Sequence, residues 1–126
     1  MMDYDRHILA LNDKGLEQFV RDWAAVMTQK YVEVQRFSGA GDMGRDVVGF
    51  LTKARHQGEW HNYQCKQYGR TLQTAPALLE LGKILYYADL GEFTVPRRYS
   101  FVAPRGVNRN LERMIFNPSE LRDAMI

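Results

Sequence analysis

The chain has 126 residues, of which 45% are hydrophobic and 25% are charged, with one cysteine and a net charge of +2. This length and composition predict a single globular domain over residues 1–126 and exclude disordered, fibrous and disulfide-rich classes. The first residues include acids and no long apolar run, and no stretch approaches the roughly 20 apolar residues of a membrane span. The lone Cys65 fits a reducing compartment. We therefore expect a soluble cytoplasmic protein with no membrane partner.

Basic residues are concentrated in the second half of the chain. Residues 1–63 carry 8 basic and 9 acidic side chains, a net charge of −1, whereas residues 64–126 carry 9 and 6, a net charge of +3. Arginines supply most of this excess: Arg97, Arg98, Arg105, Arg109 and Arg113. Such a basic half favours a polyanionic partner, although a solvated charged face gives the same pattern.

The first half of the chain has one helical pattern followed by three strand patterns. Apolar residues from Leu16 to Met27 recur at helical spacing, which predicts an amphipathic helix. Beyond it, residues alternate with period two or are rich in β-formers, with a glycine-rich turn and a polar hairpin tip between the strands. The predicted elements are a helix from Asn12 or Asp13 to Lys30 and strands at residues 31–37, 45–51 and 60–68.

The second half is predicted to begin with another helix, which opens at Thr71, because Pro76 suits a first helical turn. A stripe of apolar residues is expected to bury this helix: Leu78, Leu81, Leu85 and Ala88. The short apolar run at 99–103 predicts a strand in the middle of a sheet, and two short helices are expected near 108–116 and 119–125. The order α-β-β-β-α-β-α predicts an α/β fold in which a mixed β-sheet core is flanked by helices.

A glycine-rich segment, Gly39-Ala40-Gly41-Asp42-Met43-Gly44, has the G-x-G-x-x-G spacing of dinucleotide-binding loops. Those loops need a helix to begin at the glycines, so that its N-terminus faces the pyrophosphate. A strand follows here instead. The segment therefore indicates a tight turn, with or without a ligand against its backbone.

Four polar residues are expected to converge beside this turn. Side chains alternate across a strand, so Gln64 and Lys66 share one face of the third strand. Asp46 lies on the neighbouring strand and can face the same side. Glu17 flanks the apolar face of the first helix, which lets its carboxylate reach the sheet. Taken singly, Asp46 is more typical of a turn and Lys66 and Glu17 of solvated surface charges, but the set suits catalysis.

The set fits metal-dependent hydrolysis of a phosphodiester. Asp46, the carboxamide oxygen of Gln64 and Glu17 are hard oxygen donors suited to Mg²⁺. A bound metal lowers the pKa of a water and neutralises charge on the phosphoryl oxygens. Lys66 can orient the attacking water or stabilise the same charge. Asp46, Gln64, Lys66 and Glu17 are therefore the candidate catalytic residues.

At these residues the sequence resembles a known family. The segments Leu16-Glu17-Gln18-Phe19-Val20, Ser38-Gly39-Ala40-Gly41-Asp42-Met43-Gly44-Arg45-Asp46-Val47-Val48 and Tyr63-Gln64-Cys65-Lys66-Gln67-Tyr68 are similar to those of PD-(D/E)xK nucleases. The Mrr-type restriction endonucleases, where the acid of the last motif is often Gln, are the closest in pattern. The chain also resembles the N-terminal nuclease domain of bacterial anti-phage effectors of the CBASS/SAVED or ABC-three-component type.

The resemblance implies a restriction-endonuclease-like fold, dependence on Mg²⁺ with Mn²⁺ as a substitute, and double-stranded DNA as substrate. It also implies a larger effector, with a regulatory domain or partner protein outside this chain, that acts as a homodimer or larger assembly on DNA. A Holliday-junction-type resolvase and a non-catalytic DNA-binding module on the same fold are the alternatives. Five arginines are candidates for contacts with the DNA backbone, Arg45 being equally a charge partner of the acids: Arg45, Arg97, Arg98, Arg105 and Arg109.

Overall fold

A computed structural model describes residues 9–26, 29–39, 41–66 and 70–125. These residues form a mixed α/β fold, in which one four-stranded sheet lies between helices. The helices are α1 (Asp13–Val26), α2 (Thr74–Asp89), α3 (Arg109–Ile115) and α4 (Pro118–Met125); the strands are β1 (Glu33–Arg36), β2 (Val47–Phe50), β3 (Trp60–Cys65) and β4 (Arg98–Val102). The predicted α/β class and the order of elements are confirmed. Among the described helices, none is long and apolar enough to cross a bilayer.

The sheet has the order β1-β2-β3-β4. The first two pairings are antiparallel, as the hairpins predict, and β3 pairs with β4 in parallel after the chain crosses over through α2. Within the described sheet β4 is therefore an edge strand, so the expected position in the middle of the sheet is wrong. The residues of β4 are half-buried or exposed, since one side of this strand has no described neighbour in the sheet.

Alternation along the strands builds a core on each face of the sheet. Val47 points toward α1 and packs with Leu16 and Val20, whereas Val48 points toward α2 and packs with Ile84. The same alternation divides β3 into two sets. Tyr63 and Cys65 join the α1 core, while Trp60, Asn62 and Gln64 lie on the α2 side.

Helix α2 buries only part of the expected stripe: Leu81 and Ala88 pack against the core, as expected. Ala77 and Ile84 are its fully buried residues, whereas Leu85, expected in the buried stripe, is 37% exposed. The leucine-rich stretch offers apolar residues on nearly every side of the helix, so the pattern alone does not select the face. Contact with Val48, Phe50 and Trp60 of the sheet selects it.

Element ends differ from the predictions by a few residues. Helix α1 ends at Val26 rather than near Lys30, and Gln29 has a left-handed φ of 53°, which a continuing helix does not allow. Strand β3 ends at Cys65, and α2 begins at Thr74 rather than Thr71. Some residues in the predicted elements and motifs lie outside the described residues: Met27, Ala40, Gln67 and Tyr68.

Gly49 of β2 leaves room for the ring of Tyr31, which lies against this strand. A Cβ added here would lie 2.5 Å from a ring carbon of Tyr31, whose hydroxyl is hydrogen-bonded to His61 Nδ1 at 2.8 Å and to the Tyr63 hydroxyl. We expect Gly49→Ala to lower the free energy of unfolding by about 1–3 kcal/mol in urea denaturation, because the ring must move and these bonds break. Gly41→Ala is the control, since no atom lies within 4 Å of its added Cβ. Equal stability of the two variants would contradict this packing.

Candidate active site

Asp46 lies against the carboxyl end of β3, where Gln64 and Lys66 also lie. It immediately precedes Val47, which pairs with Tyr63, so Asp46 is adjacent to the last residues of β3. Its Oδ2 atom accepts a hydrogen bond of 2.9 Å from the backbone N–H of Cys65. The hairpin therefore brings Asp46 to the Gln64-x-Lys66 segment.

A chain of hydrogen bonds on the α2 side of the sheet connects these residues. The backbone N–H of Asp46 donates to Asn62 Oδ1 at 3.3 Å, and Asn62 Nδ2 donates to Gln64 Oε1 at 3.1 Å. Gln64 Nε2 then donates to Glu80 Oε2 at 3.1 Å. Asn62 is 0% exposed and Gln64 is 1% exposed, so the two amides satisfy each other inside the protein. We call Asn62, Gln64 and Glu80 the buried relay.

Glu80 is a member of the site that the sequence analysis missed. Its Oε1 atom lies 3.3 Å from Lys66 Nζ and 3.6 Å from Lys83 Nζ. The Lys66 and Glu80 side chains are only 17% and 16% exposed, so water screens this ion pair weakly. Glu80 falls three residues after Ala77 and four before Ile84, so it lies on the face that α2 buries, which the apolar pattern alone does not identify.

Burial and neighbouring acids raise the pKa of Asp46 from 3.8 to about 7. Desolvation of the carboxylate is the largest cause, and the charges of Glu17 and Glu80 act in the same direction. The Cys65 N–H bond and the positive charge of Lys66 act against it. A buried carboxylate with two acids nearby is a place where a cation is favoured electrostatically.

Glu17 approaches the same region from α1. Burial raises its pKa, while Arg36 and Lys66 lower it. Its charge raises the pKa of Asp46, and the charge of Lys66 lowers its own pKa. The structure thus brings Asp46, Gln64 and Lys66 together at one end of the sheet, and the place of Glu17 in the site stays a prediction.

The donor set suits Mg²⁺ at Asp46 better than at Gln64. Mg²⁺ is usually held by one or two carboxylates, with waters and substrate phosphate completing its shell. In the described part of the chain, no group of three or more His, Cys, Asp or Glu side chains is arranged to hold a metal ion. Asp46 supplies one such carboxylate, and Glu17 stays the predicted second one. Gln64 Oε1 accepts from Asn62, so the role of Gln64 as a ligand stays a prediction.

Arg45 has a structural environment that sequence reasoning did not indicate. It is 8% exposed, and its guanidinium donates to the backbone carbonyls of Asp42 at 2.7 Å and Gly41 at 3.3 Å. A third nitrogen donates to His56 Nε2 at 2.9 Å, which requires that nitrogen to be unprotonated. Burial and the charges of Arg45 and Arg55 lower the pKa of His56 to about 4, in agreement with a neutral ring. Arg45 is therefore not placed to reach a DNA phosphate.

The other four arginines are exposed and lie in two groups. Arg97 and Arg98 precede or begin β4, and Arg97 pairs with Glu59. Since β4 runs parallel to β3 and Arg98 pairs with His61, both lie at the opposite end of the sheet from Lys66, and Arg98 is five strand residues, about 16 Å, away. Arg105 follows β4 at the end where Lys66 lies, and Arg109 begins α3 just beyond.

No protein-family model matches this chain, and neither does any curated protein or solved structure. The fold class is a mixed α/β domain with a four-stranded mixed sheet.

Proposed function

We propose that this chain is a metal-dependent endonuclease of the PD-(D/E)xK type that hydrolyses phosphodiester bonds of double-stranded DNA. One observation carries the proposal: Asp46 is packed against the Gln64-x-Lys66 segment at one end of the sheet. The resemblance in sequence predicts this grouping, and the antiparallel hairpin of β2 and β3 supplies a physical reason for it. The restriction-endonuclease-like version of the α/β fold is part of the same proposal.

Each residue has a defined part in this mechanism. Asp46 and Glu17 would hold Mg²⁺, with Mn²⁺ as a substitute, and the ion would supply an acidified water and a positive charge for the phosphoryl oxygens. Because the pKa of Asp46 is about 7, the ionised fraction of this side chain increases as pH rises through neutrality. Metal binding is therefore expected to improve with pH. Lys66 donates a hydrogen bond to the attacking water or to a phosphoryl oxygen, where its charge stabilises the transition state.

From the resemblance we propose that this domain belongs to a cytoplasmic bacterial anti-phage effector. In that effector the domain cuts DNA, and a further domain or a partner protein controls the cleavage. One active site cuts one strand, so a double-strand break needs two copies on the DNA.

The deciding experiment is a cleavage assay with supercoiled plasmid, linear duplex and a four-way junction, each with Mg²⁺, Mn²⁺, Ca²⁺ or EDTA. Nicking or linearisation of plasmid with Mg²⁺ or Mn²⁺ supports the proposal. Lys66→Ala is expected to abolish cleavage and to retain DNA binding in Ca²⁺, whereas Lys83→Ala, which removes a neighbouring lysine, is expected to cleave normally. Cutting confined to the junction would favour a resolvase, and binding without cutting would favour a non-catalytic module.

The two groups of arginines are expected to differ in DNA binding. Arg105 and Arg109 lie near the end of the sheet that holds the site, so replacing both with Ala should weaken binding and flatten the dependence of log K on log salt by up to ~0.9 per lost phosphate contact. The matched Arg97→Ala, Arg98→Ala double variant should alter the slope less. Binding in Ca²⁺ by fluorescence anisotropy at several salt concentrations measures both. A larger effect of the second pair would move the DNA surface to the other end of the sheet.

A further inference from the structure

Glu80 uses its two carboxylate oxygens to contact two motif residues, Gln64 in β3 and Lys66 just after it. Oε2 accepts from the Gln64 amide at 3.1 Å, and Oε1 lies 3.3 Å from the Lys66 ammonium. Both motif residues are therefore tied to one side chain of α2. We infer that Glu80 is a positioning residue, which fixes the orientation of the Gln64 amide and the place of the Lys66 ammonium. This inference gives the proposed nuclease site a further component.

The groups at the two ends of the buried relay, the Asp46 N–H and the Glu80 carboxylate, determine the direction of every hydrogen bond between them. The backbone N–H of Asp46 can only donate, so Asn62 must present its oxygen to it. Asn62 then presents its NH₂ group to Gln64, which must accept through its own oxygen. At the other end Glu80 can only accept, so Gln64 presents its NH₂ group there. Reversing either amide would place two acceptors or two donors together inside the protein.

The ion pair gives Glu80 its second role. Lysine is a flexible side chain with four rotatable bonds, and a charge held by a weakly screened carboxylate loses much of that freedom. Since Lys66 Nζ also acts on the charges of Asp46 and Glu17, its position decides which acids it balances. Glu80 thereby keeps the ammonium on the α2 side of the sheet, close to Asp46.

The contact between Gln64 and Glu80 is tested by exchanging the amide and the carboxylate between these two positions. Gln64→Glu should lower Tm by at least about 5 °C at pH 8, because two carboxylates then face each other where Gln64 is buried. Glu80→Gln alone should lower Tm by less than about 3 °C, since an amide oxygen can still accept from Gln64. The double variant restores one carboxylate and one amide in the same place, and its Tm should return to within about 3 °C of the wild type.

Thermal melts of the wild type, the two single variants and the double variant measure the coupling between Gln64 and Glu80. Recovery of Tm in the double variant supports the contact. If the Tm losses of the single variants simply add in the double variant, Glu80 is not the partner of Gln64 and the inference is overturned. This arm does not depend on nuclease activity, so its outcome is separate from the fate of the proposed function.

The positioning of Lys66 is tested by the ¹⁵N NMR signal of its ammonium group. Glu80→Gln should shift or broaden this signal, and Lys83→Gln, which removes the other cation beside Glu80, should leave it in place. Where cleavage occurs, Glu80→Gln should lower kcat about 10- to 100-fold with KM unchanged, and Lys83→Gln should leave kcat unchanged. An unchanged Lys66 signal in Glu80→Gln overturns the positioning role, whereas absence of cleavage by the wild type overturns only the proposed function.

Discussion

Replacing Asp46 with Asn is expected to abolish DNA cleavage and, in EDTA at pH 8, to raise the thermal stability of the protein. The two effects have one cause, since the carboxylate that would hold the metal is desolvated and lies near Glu17 and Glu80. Asparagine is almost the same size, and its oxygen can still accept from the Cys65 N–H. Loss of the charged ligand should lower the rate of plasmid nicking by at least about 10²-fold.

The stability effect has a defined pH window. The pKa of Asp46 is raised from 3.8 to about 7, so folding favours the protonated acid. Destabilisation by this group therefore begins as pH rises above 3.8 and is complete above about 7. The gain from Asp46→Asn should be at most about 4 kcal/mol at pH 8 and should shrink to near zero at pH 4.

Thermal melts of wild type and Asp46→Asn from pH 4 to pH 8 measure this gain. Asp89→Asn, which neutralises an exposed carboxylate at the end of α2, is the matched control and should change neither stability nor cleavage. A lower Tm for Asp46→Asn than for the wild type at pH 8 would show that the carboxylate is stabilised by its surroundings. Wild-type cleavage by the variant would remove Asp46 from the site.

The sequence contains enough to predict the strands and the grouping of the motif residues, because both depend on short-range patterns. Short runs rich in β-forming residues predict β2 and β3, and an antiparallel hairpin then places Asp46 beside Gln64 and Lys66. No such local rule gives Glu80. It comes to the site through the parallel crossover that packs α2 on the sheet, and the stripe expected from the sequence does not include Ala77 and Ile84, the fully buried residues on either side of it.

The position of β4 and the setting of Arg45 were unpredictable for a similar reason. An apolar run indicates burial, but whether a strand lies inside a sheet or at its edge depends on which other strands pair with it. The surroundings of Arg45 come from three separate segments, which provide Phe37, His56 and Phe93. A sequence pattern shows an arginine beside an acid, and only the closed fold shows an arginine enclosed by aromatic rings.

The environment of Arg45 leads to a large expected loss of stability when it is changed. Its guanidinium lies 3.9 Å from the centre of the Phe37 ring and 5.3 Å from that of Phe93, and it donates to two backbone carbonyls and to His56. Truncation leaves these acceptors without their donor and opens space between the rings. We expect Arg45→Ala to lower the free energy of unfolding by about 3 kcal/mol or more.

Arg45→Lys separates charge from shape, because lysine keeps the charge and lacks the planar fork that stacks and donates in several directions. It should be less damaging than Arg45→Ala and still cost about 1–2 kcal/mol. Urea denaturation at pH 7.5 measures both variants, and Arg105→Ala, an exposed arginine near the site, should stay within about 0.5 kcal/mol of the wild type. DNA affinity in Ca²⁺, measured on folded Arg45→Lys, should match the wild type, because the guanidinium faces the protein interior. Normal stability of Arg45→Ala with weakened DNA binding would instead make Arg45 a phosphate contact.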